Sequence, residues 1–235
     1  SAASDVYKRQ VWVGDVKYKD ISGPDGVPDG VIDDYDKTNI GSPMPKFTFG
    51  WTNTFRYKNF DLSVFINGSY GNKVYNYLSM KLTHMNSPWT NQLNAVNGRA
   101  QLVPINPNKV YEDGTMWYND VSNVMVANPG ASIPRATIND PNDNDRISDR
   151  YIEDGSYIRL KNISLGYTFP KKTIDKLGLS NLRIYANIQN LLTITGYDGY
   201  DPEIGASTSS VNVYGLDNGR YPSPTVYSFG LNVSF

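Results

Sequence analysis

Cysteine is absent from these 235 residues. That excludes a disulfide framework, a thiol nucleophile and a thiolate metal centre, although an oxidising compartment permits disulfides without requiring them. There is one histidine, His84. With no cysteine beside it, a nucleophilic triad of that type has no basis. No run of about 18 apolar residues occurs, so no transmembrane helix can be built. Strands escape this exclusion, because a membrane-spanning strand needs only about 9–11 alternating residues. Neither charge dominates: 22 Lys and Arg face 23 Asp and Glu, which removes the electrostatic footprint of a nucleic-acid binder. A glycine-rich phosphate cradle is also missing.

Amphipathic aromatics, by contrast, are plentiful. There are 18 Tyr and 4 Trp against 8 Phe. Rings with a polar tip suit membrane interfaces, and they equally suit carbohydrate-binding surfaces. Five segments alternate with the period of a strand. Residues 47–57 place Phe47, Phe49, Trp51, Phe55 and Tyr57 on one face, against Thr48, Gly50, Thr52, Thr54 and Arg56. Residues 60–70 follow after the two-residue turn Lys58-Asn59. Residues 157–169 change parity midway, with Ile158 and Leu160 in one phase and Ile163, Leu165 and Tyr167 in the other, which predicts a bulge near Lys161. Residues 181–194 and 223–235 complete the set. In the last, Tyr227, Phe229, Leu231, Val233 and Phe235 oppose Ser228, Gly230, Asn232 and Ser234.

The connections alternate in length. Lys58-Asn59 and residues 170–180 are short, the latter with room for a helical turn at Thr173–Leu177. Residues 71–156 and 195–222 are long and polar, with a possible helix over Val74–Leu82. Short turns on one side and long loops on the other are the habit of a transmembrane antiparallel β-barrel, whose apolar face meets lipid and whose polar face meets a wet lumen. That reading puts Asn59 and Lys176 at the periplasmic side, and Asn91, Asp140 and Ser209 in exposed outer loops. Arg56, Asp61, Asn187 and Gln189 become lumen positions. A soluble or surface-exposed β-sandwich that binds carbohydrate is the alternative from another class.

Several segments, in order, carry a resemblance. They are Gly14–Asp20, Pro28–Asp34 with Ile40-Gly41, Phe55–Leu62, Tyr157–Pro170, Leu182–Leu192, Gly199–Glu203 and the terminal strand. Together they resemble the C-terminal part of a SusC-like TonB-dependent outer-membrane transporter of Bacteroidota. The resemblance covers residues 11–235 and is weakest between about 85 and 150. It implies an all-β fold, here only the C-terminal strands of a 22-stranded barrel with long extracellular loops. It implies active nutrient import powered by the TonB complex through an N-terminal part not present here, beneath a SusD-like surface lipoprotein. Ser228, Gly230, Val233 and Phe235 resemble the C-terminal signal read by the barrel-assembly machinery. Residues 1–10 resemble a translated sequencing-adapter tail, so the chain is expected to be a fragment of a longer protein.

One constellation points to a metal. Asp25, Asp29, Gly30, Asp33 and Asp36 fall at positions 1, 5, 6, 9 and 12 of an EF-hand-type loop, and Ca²⁺ wants six to eight oxygens. Val27 at position 3 offers no side-chain oxygen, and Asp36 is shorter than the usual Glu. Asp20 or Ser22 could fill the gap. A solvated acidic turn uses the same residues. Trp117 and Tyr118 are candidate sugar- or ligand-stacking residues, while Trp89, Tyr200 and Tyr214 read as loop packing. Glu153, Asp154, Asp198, Asp201 and Glu203 read as solvated loop acids rather than a glycosidase pair. No catalytic residue is expected.

Overall fold

The computed structural model describes residues 11–138, 140–207 and 210–235. The ten-residue tail and Ser209 lie outside them. The chain divides into two compact units, one made of Leu78–Tyr151 with the segment up to Ile40, the other of Gly41–Tyr77 with Ile152–Phe235.

The second unit is built on five long strands: β1 (Phe47–Tyr57), β2 (Phe60–Tyr70), β7 (Tyr157–Thr168), β8 (Asn181–Thr195) and β12 (Val226–Ser234). Each pairs antiparallel with the next, in the order β1-β2-β7-β8-β12. Four of the five match the alternation in the sequence to within a residue. The fifth begins later than expected, at Val226. Among the described residues the sheet is open, with β1 and β12 as its edges. Shorter strands complete the list: β3 (Lys73–Asn76), β4 (Leu102–Pro104), β5 (Val124–Val126), β6 (Ile152–Asp154), β9 (Ala206–Ser207), β10 (Ser210–Tyr214) and β11 (Leu216–Asp217). They form two- and three-stranded ribbons. None is long enough to supply the second large inner face of a sandwich.

Register turns the alternation into rows. Tyr57, Phe60, Tyr167, Ile184 and Leu231 stand side by side across all five strands. The next row is Phe55, Leu62, Leu165, Ala186 and Phe229. Much of this face is open to its surroundings: Leu231 is 61% exposed and Phe229 84%. Each such side chain gains about 1.5–3 kcal/mol when covered by apolar matter, so a continuous uncovered face of this kind marks an interaction surface. The opposite face carries Arg56, Asp61, Gly166, Tyr185 and Gly230 in one row, and Thr54, Ser63, Ser164, Asn187 and Ser228 in the next.

The bulge forms at the predicted place. Between two matched levels, β2 advances from Val64 to Ile66, β7 from Ile163 to Leu160, and β8 from Ile188 to Leu192. Each successive strand thus carries one more residue than its neighbour. Lys161 is the extra residue in β7; in β8 the excess falls at Asn190-Leu191, and Asn190 takes φ +52°. The offset lets Leu160 and Ile163, of opposite parity, share the apolar face, and it sharpens the twist.

The turns are fixed by local chemistry. Lys58 adopts φ +52° in the β1–β2 hairpin, and Thr168 N donates to Asn59 O at 2.9 Å, tying that turn to β7. Residues 171–174 make one helical turn, which continues as a 3₁₀ turn over Asp175–Leu177 and stops at Gly178, φ +69°. Ile174 is buried there. The expected helix over Val74–Leu82 is corrected: Val74–Asn76 belong to β3, and the helix is Tyr77–Thr83. Val74 and Tyr75 are better strand formers than helix formers, and β3 finds β6 and β11 as partners. Asp140, expected to be exposed, is buried at 6%, because it is held inside a polar network described below.

Gly230 has a packing role. A Cβ there would overlap the ring of Tyr185, the residue directly opposite on β8. An aromatic lying over a strand glycine replaces the packing that the glycine lacks. We expect Gly230→Ala to lower the stability of the folded protein by about 1 kcal/mol. Tyr185→Ala should then cost less in that background than in wild type, since the shared contact is already gone. Urea unfolding of the four proteins of the cycle measures this, and strict additivity would show that the ring does not rest on Gly230.

Candidate functional site

The polar face of the sheet holds two ion clusters. Arg183 and Asp61 meet across the intervening β7, with Nη2–Oδ2 at 2.6 Å and Nε–Oδ1 at 3.2 Å. The guanidinium passes over Gly166, where a Cβ would overlap it. Asp61 was expected simply to hydrate this face; its partner could not be read from spacing, since Arg183 lies 122 positions away.

The second cluster joins the sheet to the loop between β8 and β12. Arg159 on β7 is buried. Its Nη2 donates to Asp201 Oδ1 at 2.5 Å, Nη1 to Glu203 Oε2 at 2.7 Å and Nε to Thr193 Oγ1 at 2.8 Å. Lys161 Nζ lies 2.9 Å from the same Glu203 oxygen. Asp201 also accepts the N–H groups of Glu203, at 2.9 Å, and Ser223, at 3.0 Å. The Gly199–Glu203 segment is therefore latched to the wall, and the reading of Asp201 as a solvated loop acid is corrected: it is 5% exposed. Nearby, Tyr197 donates to Asp217 Oδ2 at 2.6 Å, and Asp217 Oδ1 accepts from Gly219 and Arg220 N–H groups. Burial, reinforced by the Asp217 carboxylate, pushes the Tyr197 hydroxyl far above its ordinary range. Glu153 is likewise engaged, accepting from Asn76 Nδ2 at 2.8 Å and Asp198 N at 2.9 Å.

In the first unit the Gly14–Asp20 segment docks on the 135–146 loop through polar groups. Arg135 N donates to Gly14 O at 2.8 Å, and Arg135 Nε to Asp15 Oδ1 at 2.8 Å. Val16 N donates to Asn144 Oδ1 at 2.7 Å, and Asn142 Nδ2 to Val16 O at 3.0 Å. Asn142 and Asn144 are each 1% exposed. Tyr18 donates to Asp143 O at 2.8 Å beneath the Arg146 guanidinium. Burial pushes its hydroxyl up to about 12, against the opposing pull of Arg146. His84 is drawn into the same network by Asp140 and Asp145. Sequence reasoning missed this cluster because its members are 56 and 61 positions apart. The Asp-Pro-Asn-Asp-Asn-Asp run at 140–145, dense in turn acids and amides, was the available signal.

The acidic loop folds as a chain of self-capped turns. Asp20 Oδ2 accepts from Gly30 N at 2.6 Å, Asp29 Oδ1 from Val31 N at 2.9 Å, and Asp33 Oδ1 from Tyr35 N at 2.8 Å. Asp36 Oδ1 accepts from Ile21 N at 2.7 Å and its Oδ2 from Asp33 N at 2.9 Å. The Ile21 and Asp33 N–H groups hold the Asp36 carboxyl below the usual carboxylate range. Asp25 is exposed at the tip. Among the described residues, His84, Asp140 and Asp145 form the sole group of three such side chains converging within 4.8 Å, so the five aspartates do not meet as one cage. Trp117 and Tyr118 share a short 3₁₀ turn and stand edge to face, ring centroids 5.7 Å apart. They present two planes rather than one flat platform.

No protein-family model matches the chain. Among curated proteins, TonB-dependent receptor P3 of Formosa agariphila is 36% identical over 211 residues, covering 88% of this chain and 18% of that protein. TonB-dependent receptor SusC of Bacteroides thetaiotaomicron is 29% identical over 209 residues, 88% of this chain and 17% of that protein. The chain belongs to the SusC-like TonB-dependent receptors. It spans about a fifth of the length of the relatives it matches. Among solved structures, the RagAB peptide importer in its 'closed-closed' state superposes with a TM-score of 0.58 at 19% identity, over 91% of this chain and 20% of that one. The 'open-open' state gives 0.56. The five-stranded sheet and its loops therefore share the fold of one part of the RagAB chains.

The latch has a defined pH window. Burial alone would raise the Asp201 carboxyl; the Ser223 and Glu203 N–H groups and Arg159 outweigh it and hold it below the ordinary range. A carboxyl depressed on folding stabilises fully above its unfolded value, about 3.9, and that contribution is lost only as pH falls through the lower folded value. Chymotryptic cleavage after the exposed Tyr200, taken relative to an unfolded reference peptide at each pH to cancel the protease's own titration, should stay slow and unchanged from pH 8 to pH 6. Asp201→Asn, which leaves the buried Arg159 only the half-exposed Glu203 as counter-charge, should accelerate it severalfold at neutral pH. Equal rates in the two proteins would show that the latch does not hold this segment.

Proposed function

We propose that the chain supplies five consecutive wall strands and two external loops of an outer-membrane importer of oligomeric nutrients, glycan or peptide. TonB would energise it through the remainder of the receptor, and a SusD-like lipoprotein would form its lid. The supporting observation is the sheet's division into apolar rows in register across all five strands and a polar, ion-paired opposite face. Lipid suits the first and water the second. The names of the relatives support the same reading. Transport of this kind makes and breaks no covalent bond in the cargo, so it asks for no catalytic residue. Ser228, Gly230, Val233 and Phe235 would be recognised by the barrel-assembly machinery, and Gly230 would serve at once as that signal and as the seat of Tyr185. Trp117 and Tyr118 would contact cargo from an external loop.

Orientation provides the test. Cysteine introduced at Asn59 or Lys176 should resist a membrane-impermeant thiol reagent in intact cells, and cysteine at the exposed Asn91 should react. The receptor should fractionate with the outer membrane and show heat-modifiable mobility. Labelling at Asn59 would overturn the orientation, and a soluble monomer would return the carbohydrate-binding alternative.

Calcium at the acidic loop is a separate part of the proposal. Asp20 Oδ1 is buried without a partner, which supports a cation there; the other oxygens named above already accept N–H groups and would have to exchange them. Calorimetry on the assembled receptor should show Ca²⁺-dependent heat that Asp29→Ala and Asp33→Ala each diminish. No heat at millimolar calcium would leave the loop a self-capped turn.

A further inference from the structure

His84 follows the helix Tyr77–Thr83, its N–H bonding Met80 O at 3.1 Å. Its ring is buried between two carboxylates that are not equivalent. On one side Nε2 lies 2.8 Å from Asp140 Oδ2. Asp140 is itself immobilised: Asn144 Nδ2 donates to its Oδ1 at 2.6 Å and Asn144 N to its Oδ2 at 2.6 Å. This carboxylate is a fixed acceptor, so it selects the tautomer with the proton on Nε2. On the other side Nδ1 lies 3.2 Å from Asp145 Oδ2. A neutral imidazole has only one N–H, and with that proton on Nε2 the unprotonated Nδ1 lies beside an anion. Two lone pairs at this separation need a cation between them.

A metal ion meets that need. Bonds of about 2.1 Å to N and to O would subtend the observed gap at an angle of about 100°, close to what tetrahedral or octahedral coordination requires. A carboxylate gripping the distal ring N–H, as Asp140 does, is the partner that orients a metal-bound histidine and raises its basicity. Asp145 is half-buried, so further positions face solvent. We propose that His84 Nδ1 and Asp145 bind a borderline divalent transition-metal ion, Zn²⁺, Ni²⁺ or Cu²⁺, with Asp140 as the positioning residue. One imidazole and one carboxylate do not make the oxygen cage that calcium wants. The ion would clip the end of the helix to the 140–145 loop and keep open positions for water or for an N- or O-donor on an incoming molecule. This site is independent of the transport reading.

The test uses the intact parent receptor with Cu²⁺ as the spectroscopic probe and Zn²⁺ as competitor. Electron paramagnetic resonance should show hyperfine coupling from one nitrogen that disappears in His84→Gln, and copper g and hyperfine values that shift in Asp145→Asn as an anionic oxygen ligand is lost. Zn²⁺ affinity should fall at least tenfold in Asp145→Asn. Asp140→Asn should weaken it by about 10–100-fold while keeping the nitrogen coupling. His84→Gln disturbs a buried ring and risks misfolding, so Asp145→Asn, isosteric and partly exposed, is the deciding variant. Indistinguishable copper spectra and zinc affinities in wild type and Asp145→Asn would overturn the proposal and leave a proton as the cation on Nδ1.

Discussion

A backbone amide withdrawn from water must find another hydrogen-bonding partner, which in a strand is the neighbouring backbone, and this requirement governs the rest of the structure. It is why the apolar segments are strands paired in one continuous ladder. It is also why they come in sequence neighbours: β1 and β2 through a two-residue turn, β7 and β8 through a twelve-residue one, with long excursions confined to the other ends. The two open edges, on β1 and β12, present unpaired N–H and C=O groups that a lipid environment would penalise by several kcal/mol each. In the RagAB chains that superpose on it, the region matched by sheet and loops together makes up about a fifth of the chain.

Within the ladder, the shift in register at Lys161 and at Asn190-Leu191 reconciles sequence with surface. Without it, either Ile158 and Leu160 or Ile163, Leu165 and Tyr167 would turn inward. One extra residue per strand keeps all five on the apolar side, at the cost of a residue with positive φ, Asn190. It also brings Arg159 to the polar face, where Asp201 and Glu203 close on it. A local irregularity of the sheet thus decides where a loop is fastened.

The loops are held differently from the wall. The buried apolar residues of the first unit are few: Met80, Ala100, Val124, Ile133 and Tyr151. Alongside them Asn123, Asp140, Asn142, Asn144 and His84 are buried, and each has hydrogen-bonded partners. Side-chain networks of this sort specify a single arrangement of irregular chain, because a half-satisfied version would be worse than none. They give long loops definite shape without the regular alternation that would make them legible.

That difference separates what the sequence determined from what the tertiary structure decided. Period-two alternation exposed the five strands, the hairpin at Lys58-Asn59 and the bulge at Lys161, because a strand's face is set by nearest neighbours along the chain. The motif order exposed the family. The pairing of Arg183 with Asp61, of Arg159 with Asp201 and Glu203, and of His84 with Asp140 and Asp145 was not legible, nor was the burial of Asp140. Those partners lie between 42 and 122 positions apart, and a charged residue in a polar loop looks the same in sequence whether water or an opposite charge completes its shell. Only the folded chain, by bringing the loop back over the strand, decides which of the two it is.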